Sequence, residues 1–360
     1  MRILYLPLVM EGSGTNERIS LLSRGNELIG LRKKPTLQNS DLAKVIKYIL
    51  FAIKSLQYGL THAKEYDFIF CQYPIYALIG MSIYVMTRKP YIFEADDTIR
   101  YSRVWNKSKI HIYLLILLDR IVFKFAKRII VPGEAVRQAF IARGFEPTKI
   151  EVIPFTPSHP PIGDKLDEDK ETARHCLGME KQVRILTFVG NMTHHPPNEE
   201  AAHWICAELS KEIAQKFNDV RIIMIGPHDM TSITPNFVSF VGFVPHELLD
   251  QYMNATDIFI APVWDGVGAP LKVIDALSFG LPVIIPSWVI DYIPELVDGD
   301  NAIVAKDQVE FIEKTVYYLE HLNEAKEIGR RAHKMMIACY GRELWEDKLN
   351  QFLKSSLLKK

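Results

Sequence analysis

The hydrophobic positions in the first half of the chain alternate between short, mostly apolar runs and longer stretches with helical periodicity. The short runs are typical of buried strands and occupy residues 2–6, 25–31, 66–72, 90–97, 128–131 and 149–153. The longer stretches predict helices at residues 17–23, 40–64, 76–86, 109–126 and 134–143. Because strands joined by helices of this length pair in parallel through right-handed crossovers, the pattern predicts a parallel α/β sheet.

A proline-rich segment at residues 154–163 separates this pattern from a second one. Four prolines in ten residues cannot form a core element, so the segment predicts a linker. Beyond it, strands are predicted at residues 183–189, 220–225, 238–241, 258–261 and 282–286. The helices predicted here lie at residues 167–177, 198–217, 245–254, 270–279, 308–322, 325–337 and 343–354.

We therefore predict two similar α/β domains, residues 1–157 and residues 164–342, with a C-terminal helix at 343–360 that is able to pack back on the first domain. In such an architecture, ligands bind at the carboxyl ends of the strands, which we expect here in the cleft between the domains.

Charge and composition narrow the function classes. The 360 residues include 43 basic and 43 acidic side chains, so no excess of Lys and Arg exists for general nucleic-acid binding. The four cysteines are far apart and lack CxxC or Cys/His spacing, which favours reduced thiols and predicts no metal site. The apolar N-terminal run is too short for a signal peptide, and no apolar run reaches the roughly 18 residues of a membrane span. We expect a cytoplasmic protein.

Two stretches, residues 42–60 and 110–130, are nonetheless basic and apolar together. In the first, Lys44, Lys47 and Lys54 lie at spacings of three and seven, which places them on one helical side. Two interpretations stay open for both stretches. A helix of this kind can rest peripherally on an anionic membrane surface, or it can pack on the sheet while its lysines face water.

The stretch from 264 to 286 has the composition of a strand–loop–helix ligand site. An apolar strand ends before it, and Gly266 and Gly268 allow a tight turn with close approach to a ligand. Pro270 suits the first turn of the helix that follows, and Gly280 suits its C-terminal cap. A glycine loop that leads into a helix N-terminus presents N–H groups and a positive dipole end, which favours phosphate.

Two side chains add chemistry to this loop. Lys272, in the first helical turn, supplies a positive charge suited to a diphosphate. Asp275 lies three residues further on, so the two side chains share a face, and its carboxylate can accept from a pair of sugar hydroxyls. The alternative is an ordinary strand–helix turn that binds nothing.

Seven segments, in chain order, are similar to motifs of one enzyme family. They occupy residues 66–72, 89–97, 126–137, 144–154, 187–198, 238–244 and 295–304. Residues 66–72 are similar to the motif "yDvih", residues 187–198 to "fvG…PN" and residues 295–304 to "Elv.dg.nGllv". On this ordered series, nearly the whole chain resembles the GT-B fold glycosyltransferases of the large retaining group called family 4. The resemblance implies an α/β fold of two Rossmann-like domains with parallel sheets facing across a cleft.

The resemblance also implies an activity. Members transfer a sugar from a nucleotide-sugar donor to an acceptor with retention at the anomeric carbon, and the donor binds the C-terminal domain. They usually need no metal or other cofactor, because helix ends and basic residues neutralise the diphosphate. The acceptor implied is a glycan, a lipid-linked molecule or a small molecule, in glycan or glycolipid synthesis.

By motif position, the resemblance assigns two sets of residues. The donor-binding set is Gly12, Gly14, Gly190, Asn191, Asp265, Gly266, Val267, Gly268, Ala269, Lys272 and Asp275. Within it, Asp275 replaces the second Glu of an E-x7-E motif, which holds the ribose. The catalytic set is Asp96, Asp97 and Lys272. Lys272 stabilises the developing diphosphate charge, and Asp96 or Asp97 orients the transferring sugar or the acceptor hydroxyl.

The chain departs from the family pattern at three points. Val267 stands where the first Glu of the motif belongs, with Asp265 as the neighbouring carboxylate that could take its place. Ala95 stands where a histidine usually precedes the aspartate. The region that carries an Arg and a Lys in many members contains instead Asn191, His194 and His195.

These departures keep two other functions open. One is a nucleotide-sugar epimerase of the same fold, which needs acid and base groups poised at the sugar. The other is a degenerate, non-catalytic GT-B protein that binds a sugar or acts as a scaffold, which Val267 and Ala95 favour. Asp96 and Asp97 are also able to serve only as a cap for the helix that follows them.

Overall fold

The computed structural model describes residues 1–6, 14–31, 41–72, 74–95, 117–118, 120–158, 166–193, 195–229, 237–265 and 269–358. The chain divides into two compact units. Unit 1 comprises Met1–Thr156 together with Arg342–Lys360, and unit 2 comprises Pro157–Gly341.

Unit 1 is built on a six-stranded, all-parallel sheet. Its strands are β1 (Arg2–Leu6), β2 (Glu27–Ile29), β3 (Phe68–Gln72), β4 (Tyr91–Glu94), β5 (Arg128–Val131) and β6 (Ile150–Val152), in the spatial order β2-β1-β3-β4-β5-β6. Its helices are α1 (Gly14–Ser23), α2 (Asp41–Thr61), α3 (Pro74–Thr87) and α4 (Glu134–Ala142). Residues 120–125 are also helical. Because helices cover the sheet, its central strands are buried on both faces, which explains their nearly continuous apolar sequence.

The last helix of the chain, α12 (Arg342–Leu358), belongs to unit 1. Its residues Leu349 and Leu353 are buried in the same core as Ile3 and Leu21. Asn350 adds a polar contact, since its Oδ1 accepts from Asn26 Nδ2 at 2.7 Å. The C-terminal segment therefore completes a hydrophobic core that the N-terminal strands begin.

Unit 2 has a second six-stranded parallel sheet. Its strands are β7 (Arg184–Val189), β8 (Val220–Ile225), β9 (Val238–Gly242), β10 (Ile258–Ile260), β11 (Val283–Pro286) and β12 (Ile303–Ala305), in the order β12-β11-β10-β7-β8-β9. Its helices are α5 (Leu166–Cys176), α6 (Pro196–Trp204), α7 (Ser210–Lys216), α8 (His246–Ala255), α9 (Leu271–Ser278), α10 (Gln308–Glu320) and α11 (Leu322–Tyr340). The two parallel sheets confirm the predicted α/β class.

Three local expectations need correction or lie outside the described residues. The helix expected at 198–217 is interrupted by a π-helical turn at Ile205–Leu209, which periodicity does not reveal. Pro270 is the N-cap of α9 and does not lie inside its first turn. Half of the helix expected at 109–126 falls outside the described residues. No helix in the part of the chain that the structure describes is both long and apolar enough to cross a membrane.

Candidate functional site

The carboxyl ends of three neighbouring strands in unit 2 approach each other closely. The Gly190 N–H donates to the Ile225 carbonyl at 2.9 Å, and the Gly226 N–H donates to the Gly242 carbonyl at 2.8 Å. Gly226 has a φ of +130°, and a Cβ there would lie 2.0 Å from the Gly190 carbonyl oxygen. Only glycine fits at position 226, and the result is a compact backbone edge where β7 and β8 end.

Lys272, in the first turn of α9, reaches this edge. Its Nζ donates to Asn198 Oδ1 at 2.6 Å and lies 4.5 Å from the centre of the Phe188 ring. Asn198 is held in turn, because its Nδ2 donates to the Asn191 carbonyl at 3.2 Å. A Cβ at Gly190 would lie 2.9 Å from the Asn198 amide carbon and 3.0 Å from Lys272 Nζ. The missing side chain at Gly190 therefore makes room for this pair.

The electrostatics of Lys272 are unusual for a lysine. Desolvation by burial lowers the pKa of Lys272 from 10.5 to about 7. Its hydrogen-bond partner among the described residues is the neutral amide of Asn198, which does not compensate a buried charge. The pKa of His195 is also lowered, first by burial and second by the nearby Lys272. A negatively charged ligand would supply the compensation that the described residues around Lys272 do not provide.

Two cavities meet at Lys272. The larger, of about 160 Å³, lies between the N-terminus of α6, at His195, and the N-terminus of α9, at Ala269. The smaller, of about 50 Å³, is lined by Lys272 and Asp275 on α9 and by Ser158 from the linker. Lys272 and Asp275 therefore face one space, as their spacing in the sequence indicated.

Asp275 is engaged through both carboxylate oxygens. Its Oδ1 accepts from the Ser158 N–H at 2.8 Å, and its Oδ2 accepts from the Ser158 hydroxyl at 3.1 Å. The predicted ribose-binding carboxylate is therefore held by a residue of the linker. From the sequence alone, the segment around Ser158 is predicted only to be a proline-rich linker, without a contact to Asp275.

The remaining predicted site residues divide into two groups. Gly190 and Asn191 lie at the edge just described, and Ala269 lines the larger cavity before α9. Asp265 lies in the turn after β10, and Gly14 begins α1 of unit 1. The others lie outside the described residues: Gly12, Asp96, Asp97, His194, Gly266, Val267 and Gly268.

The structure adds residues that lie outside the predicted donor-binding and catalytic sets. Asn198 appeared only as the last letter of the "PN" motif, and Gly226 only as the end of a strand. His195 is the N-cap residue of α6, and its Nδ1 is buried without a hydrogen-bond partner among the described residues. Trp288 lines the larger cavity, and its Nε1 donates to the Val263 carbonyl at 2.7 Å.

Unit 1 contains a buried polar cluster directly before Asp96 and Asp97. Arg18 Nε donates to Glu94 Oε1 at 2.5 Å, and its Nη2 donates to the Ile153 carbonyl at 2.8 Å. Gln72 donates to the other oxygen of Glu94. All three side chains are buried, so the cluster fixes the carboxyl ends of β3 and β4 against α1.

The sequence of each unit matches a family model. Residues 183–321 match the model described as glycosyl transferases group 1, and residues 16–155 match the one described as Glycosyltransferase Family 4. A curated relative, an uncharacterized 44.6 kDa protein in the cps region of Klebsiella pneumoniae, is 21% identical over 281 residues. That match covers 75% of this chain and 69% of the relative.

Solved structures with the same fold include a glycosyltransferase and a protein in complex with UDP and glucose. The crystal structure of Anabaena Alr3699/HepE in complex with UDP and glucose has a TM-score of 0.73 at 15% identity, covering 98% of this chain and 99% of that chain. WaaG, a glycosyltransferase involved in lipopolysaccharide biosynthesis, has a TM-score of 0.69 at 15% identity, covering 97% and 99%. With both family matches and this fold, the chain belongs to the family 4 (group 1) glycosyltransferases of the GT-B fold.

Proposed function

We propose that this glycosyltransferase binds a nucleotide-sugar on unit 2 and transfers the sugar with retention of its anomeric configuration. The observation that carries the proposal is the position of Lys272. Its ammonium group is buried beside a neutral amide, at a helix N-terminus and between two cavities. A partly buried cation that has no anionic partner among the described residues suits an anionic ligand.

The two cavities suggest how the donor lies. The diphosphate would contact Lys272, the Gly190 edge and the N-terminus of α9. The ribose would extend into the smaller cavity toward Asp275, and the sugar into the larger cavity beside His195. The related structures in complex with UDP and with UDP-glucose support a uridine nucleotide as the first probe.

In the proposed chemistry, the acceptor hydroxyl attacks on the face from which the diphosphate leaves. The acceptor oxygen forms the new bond to the anomeric carbon as the bond to the diphosphate oxygen breaks. That diphosphate oxygen accepts the acceptor proton. Lys272 and the α9 N-terminus stabilise the negative charge that develops there. Asp96 or Asp97 would orient the sugar or the acceptor hydroxyl.

The proposal includes catalysis without a metal or another cofactor. The positive groups already present at the site, Lys272 and the helix N-terminus, are of the kind that neutralise a diphosphate. Among the described residues, no group of three or more His, Cys, Asp or Glu side chains is arranged to hold a metal.

The experiment that tests the activity uses a panel of nucleotide-sugars with water as the acceptor. Binding is measured as thermal stabilisation, which reaches about 2.7 kcal/mol at a ligand concentration 100 times the Kd. Turnover is measured as nucleotide release. Proton NMR then identifies the anomer of free glucose that first leaves UDP-α-glucose, and retention requires the α anomer.

The other outcomes separate the alternatives. Release of the β anomer first would show that the transfer inverts the anomeric configuration. Conversion of the donor to an epimer without nucleotide release would identify an epimerase. Binding without any turnover would identify a non-catalytic protein. Lys272→Met should abolish the activity, whereas the control Lys211→Met, at an exposed position in α7, should not.

As part of the same proposal, the acceptor is a lipid-linked molecule, which the enzyme reaches at the cytoplasmic face of an anionic membrane. The support comes from α2, where Ile49, Leu50 and Ile53 are 54%, 51% and 56% exposed. These side chains therefore face solvent, whereas the interpretation of α2 as a helix packed on the sheet required them to be buried. Lys54 is exposed beside them, so the surface combines apolar groups with positive charge.

Vesicle sedimentation tests this surface. We expect vesicles containing phosphatidylglycerol to retain the protein at low salt, and vesicles of phosphatidylcholine alone to retain much less. The double variant Ile49→Ser and Ile53→Ser should lose retention, while Val309→Ser, which alters a 65% exposed side chain of unit 2, should not. If the wild type stays in solution, a soluble acceptor becomes the better proposal.

A further inference from the structure

Ser158 is the second residue of unit 2, at the point where the linker leaves unit 1. It makes two hydrogen bonds to one carboxylate. Its N–H donates to Asp275 Oδ1 at 2.8 Å, and its hydroxyl donates to Asp275 Oδ2 at 3.1 Å. Both residues are partly buried and line the smaller cavity. The linker therefore sets the orientation of the carboxylate that faces this cavity.

A carboxylate held in this way is chemically suited to a diol. An ionised carboxylate has about four lone-pair positions, two on each oxygen, so an oxygen that accepts from one donor is able to accept from a second. The two hydrogen bonds from Ser158 use one position on each oxygen of Asp275. Two adjacent hydroxyls of a ribose are matched to two such oxygens. A carboxylate already held in one rotamer also loses less conformational entropy when it binds them.

We propose that Ser158 is a positioning residue that holds the Asp275 carboxylate for the two ribose hydroxyls of the donor. The inference rests on the proposed function. It assigns to the linker a part in donor recognition, in addition to its role as a connection.

A competing arrangement would make Ser158 a placeholder that the ribose displaces. The backbone contact argues against it. A ribose that displaced Ser158 would remove the acceptor of a partly buried N–H, and an unpaired peptide group of this kind is costly. The two arrangements predict opposite effects of removing the Ser158 hydroxyl. If Ser158 is a positioning residue, removal of its hydroxyl weakens nucleotide binding. If Ser158 is a placeholder, the same removal strengthens nucleotide binding.

The test compares Ser158→Ala with wild type by calorimetry, using UDP and GDP and the 2′,3′-dideoxy form of the tighter ligand. We expect Ser158→Ala to weaken binding of the ribonucleotide by roughly fivefold to tenfold, the size of effect that one typical hydrogen bond produces. Binding of the dideoxy form should be unchanged. Ser158→Thr keeps the hydroxyl and should restore wild-type affinity for the ribonucleotide.

In turnover, Ser158→Ala should raise the KM for the donor and leave kcat near the wild-type value, because the ribose is remote from the bond that breaks. Tighter ribonucleotide binding by Ser158→Ala would establish the placeholder arrangement. Equal weakening of both ligands would show a general structural effect. If the wild type binds neither UDP nor GDP, the proposed function fails, and this inference fails with it.

Discussion

Diphosphate binding should be coupled to proton uptake by Lys272. In the free protein, desolvation by burial lowers the pKa of Lys272 to about 7, so the amine is mostly neutral at pH 8. A bound diphosphate favours the charged form and raises that pKa. Above pH 7, each binding event must therefore take up a proton. Each pH unit between the free and bound pKa values corresponds to about 1.4 kcal/mol.

The size of the effect follows directly. Affinity should fall about tenfold per pH unit above 7, hence up to about 100-fold between pH 7 and pH 9. The diphosphate itself is fully ionised in this window and adds little to the trend. The free energy of unfolding of the ligand-free protein should change in the opposite direction and increase as pH rises. Between about 7 and 10.5 the unfolded chain holds more protons on Lys272 than the native protein does, so stability of the free protein rises with pH.

Calorimetry in two buffers with different ionisation enthalpies measures the proton count. We expect uptake of close to one proton per UDP at pH 8.5. In Lys272→Met the uptake and the pH dependence should both disappear, whereas Lys211→Met should behave as wild type. If wild-type protein binds UDP at pH 8.5 without taking up a proton, Lys272 does not contact the diphosphate as we propose.

Three further predictions concern the same site. Asp275→Asn should weaken nucleotide binding by about 1.5–3 kcal/mol while the circular dichroism spectrum stays unchanged, and unchanged affinity would remove Asp275 from the site. EDTA should leave turnover intact; loss that Mg²⁺ or Mn²⁺ restores would contradict catalysis without a metal. Gly190→Ala should weaken UDP binding because its Cβ displaces Asn198 and Lys272, and wild-type affinity would show that this edge does not bind the diphosphate.

The sequence predicted most of the fold because the strands are short apolar runs between long periodic helices. The spacing of Lys272 and Asp275 also predicted that they share a face, since α9 is a regular helix. Contacts between distant segments were not predictable in this way. Asn198 meets Lys272 across 74 positions of sequence, and Ser158 meets Asp275 across 117. Such pairs depend on the three-dimensional path of the chain, which the local pattern around Lys272 and Asp275 does not contain.

The two units show what distinguishes a buried charge that stabilises structure from one that binds a ligand. In unit 1, Arg18 is buried but its charge is paired, because Glu94 accepts from it and the Ile153 carbonyl accepts as well. Such a pair fixes local geometry and leaves no charge for a ligand. In unit 2, Lys272 is desolvated but partnered within the described residues only by the amide of Asn198. In the described part of the chain, this cost falls beside two cavities and a helix N-terminus. An anionic ligand removes the cost on binding, and for this reason we place the donor diphosphate at Lys272.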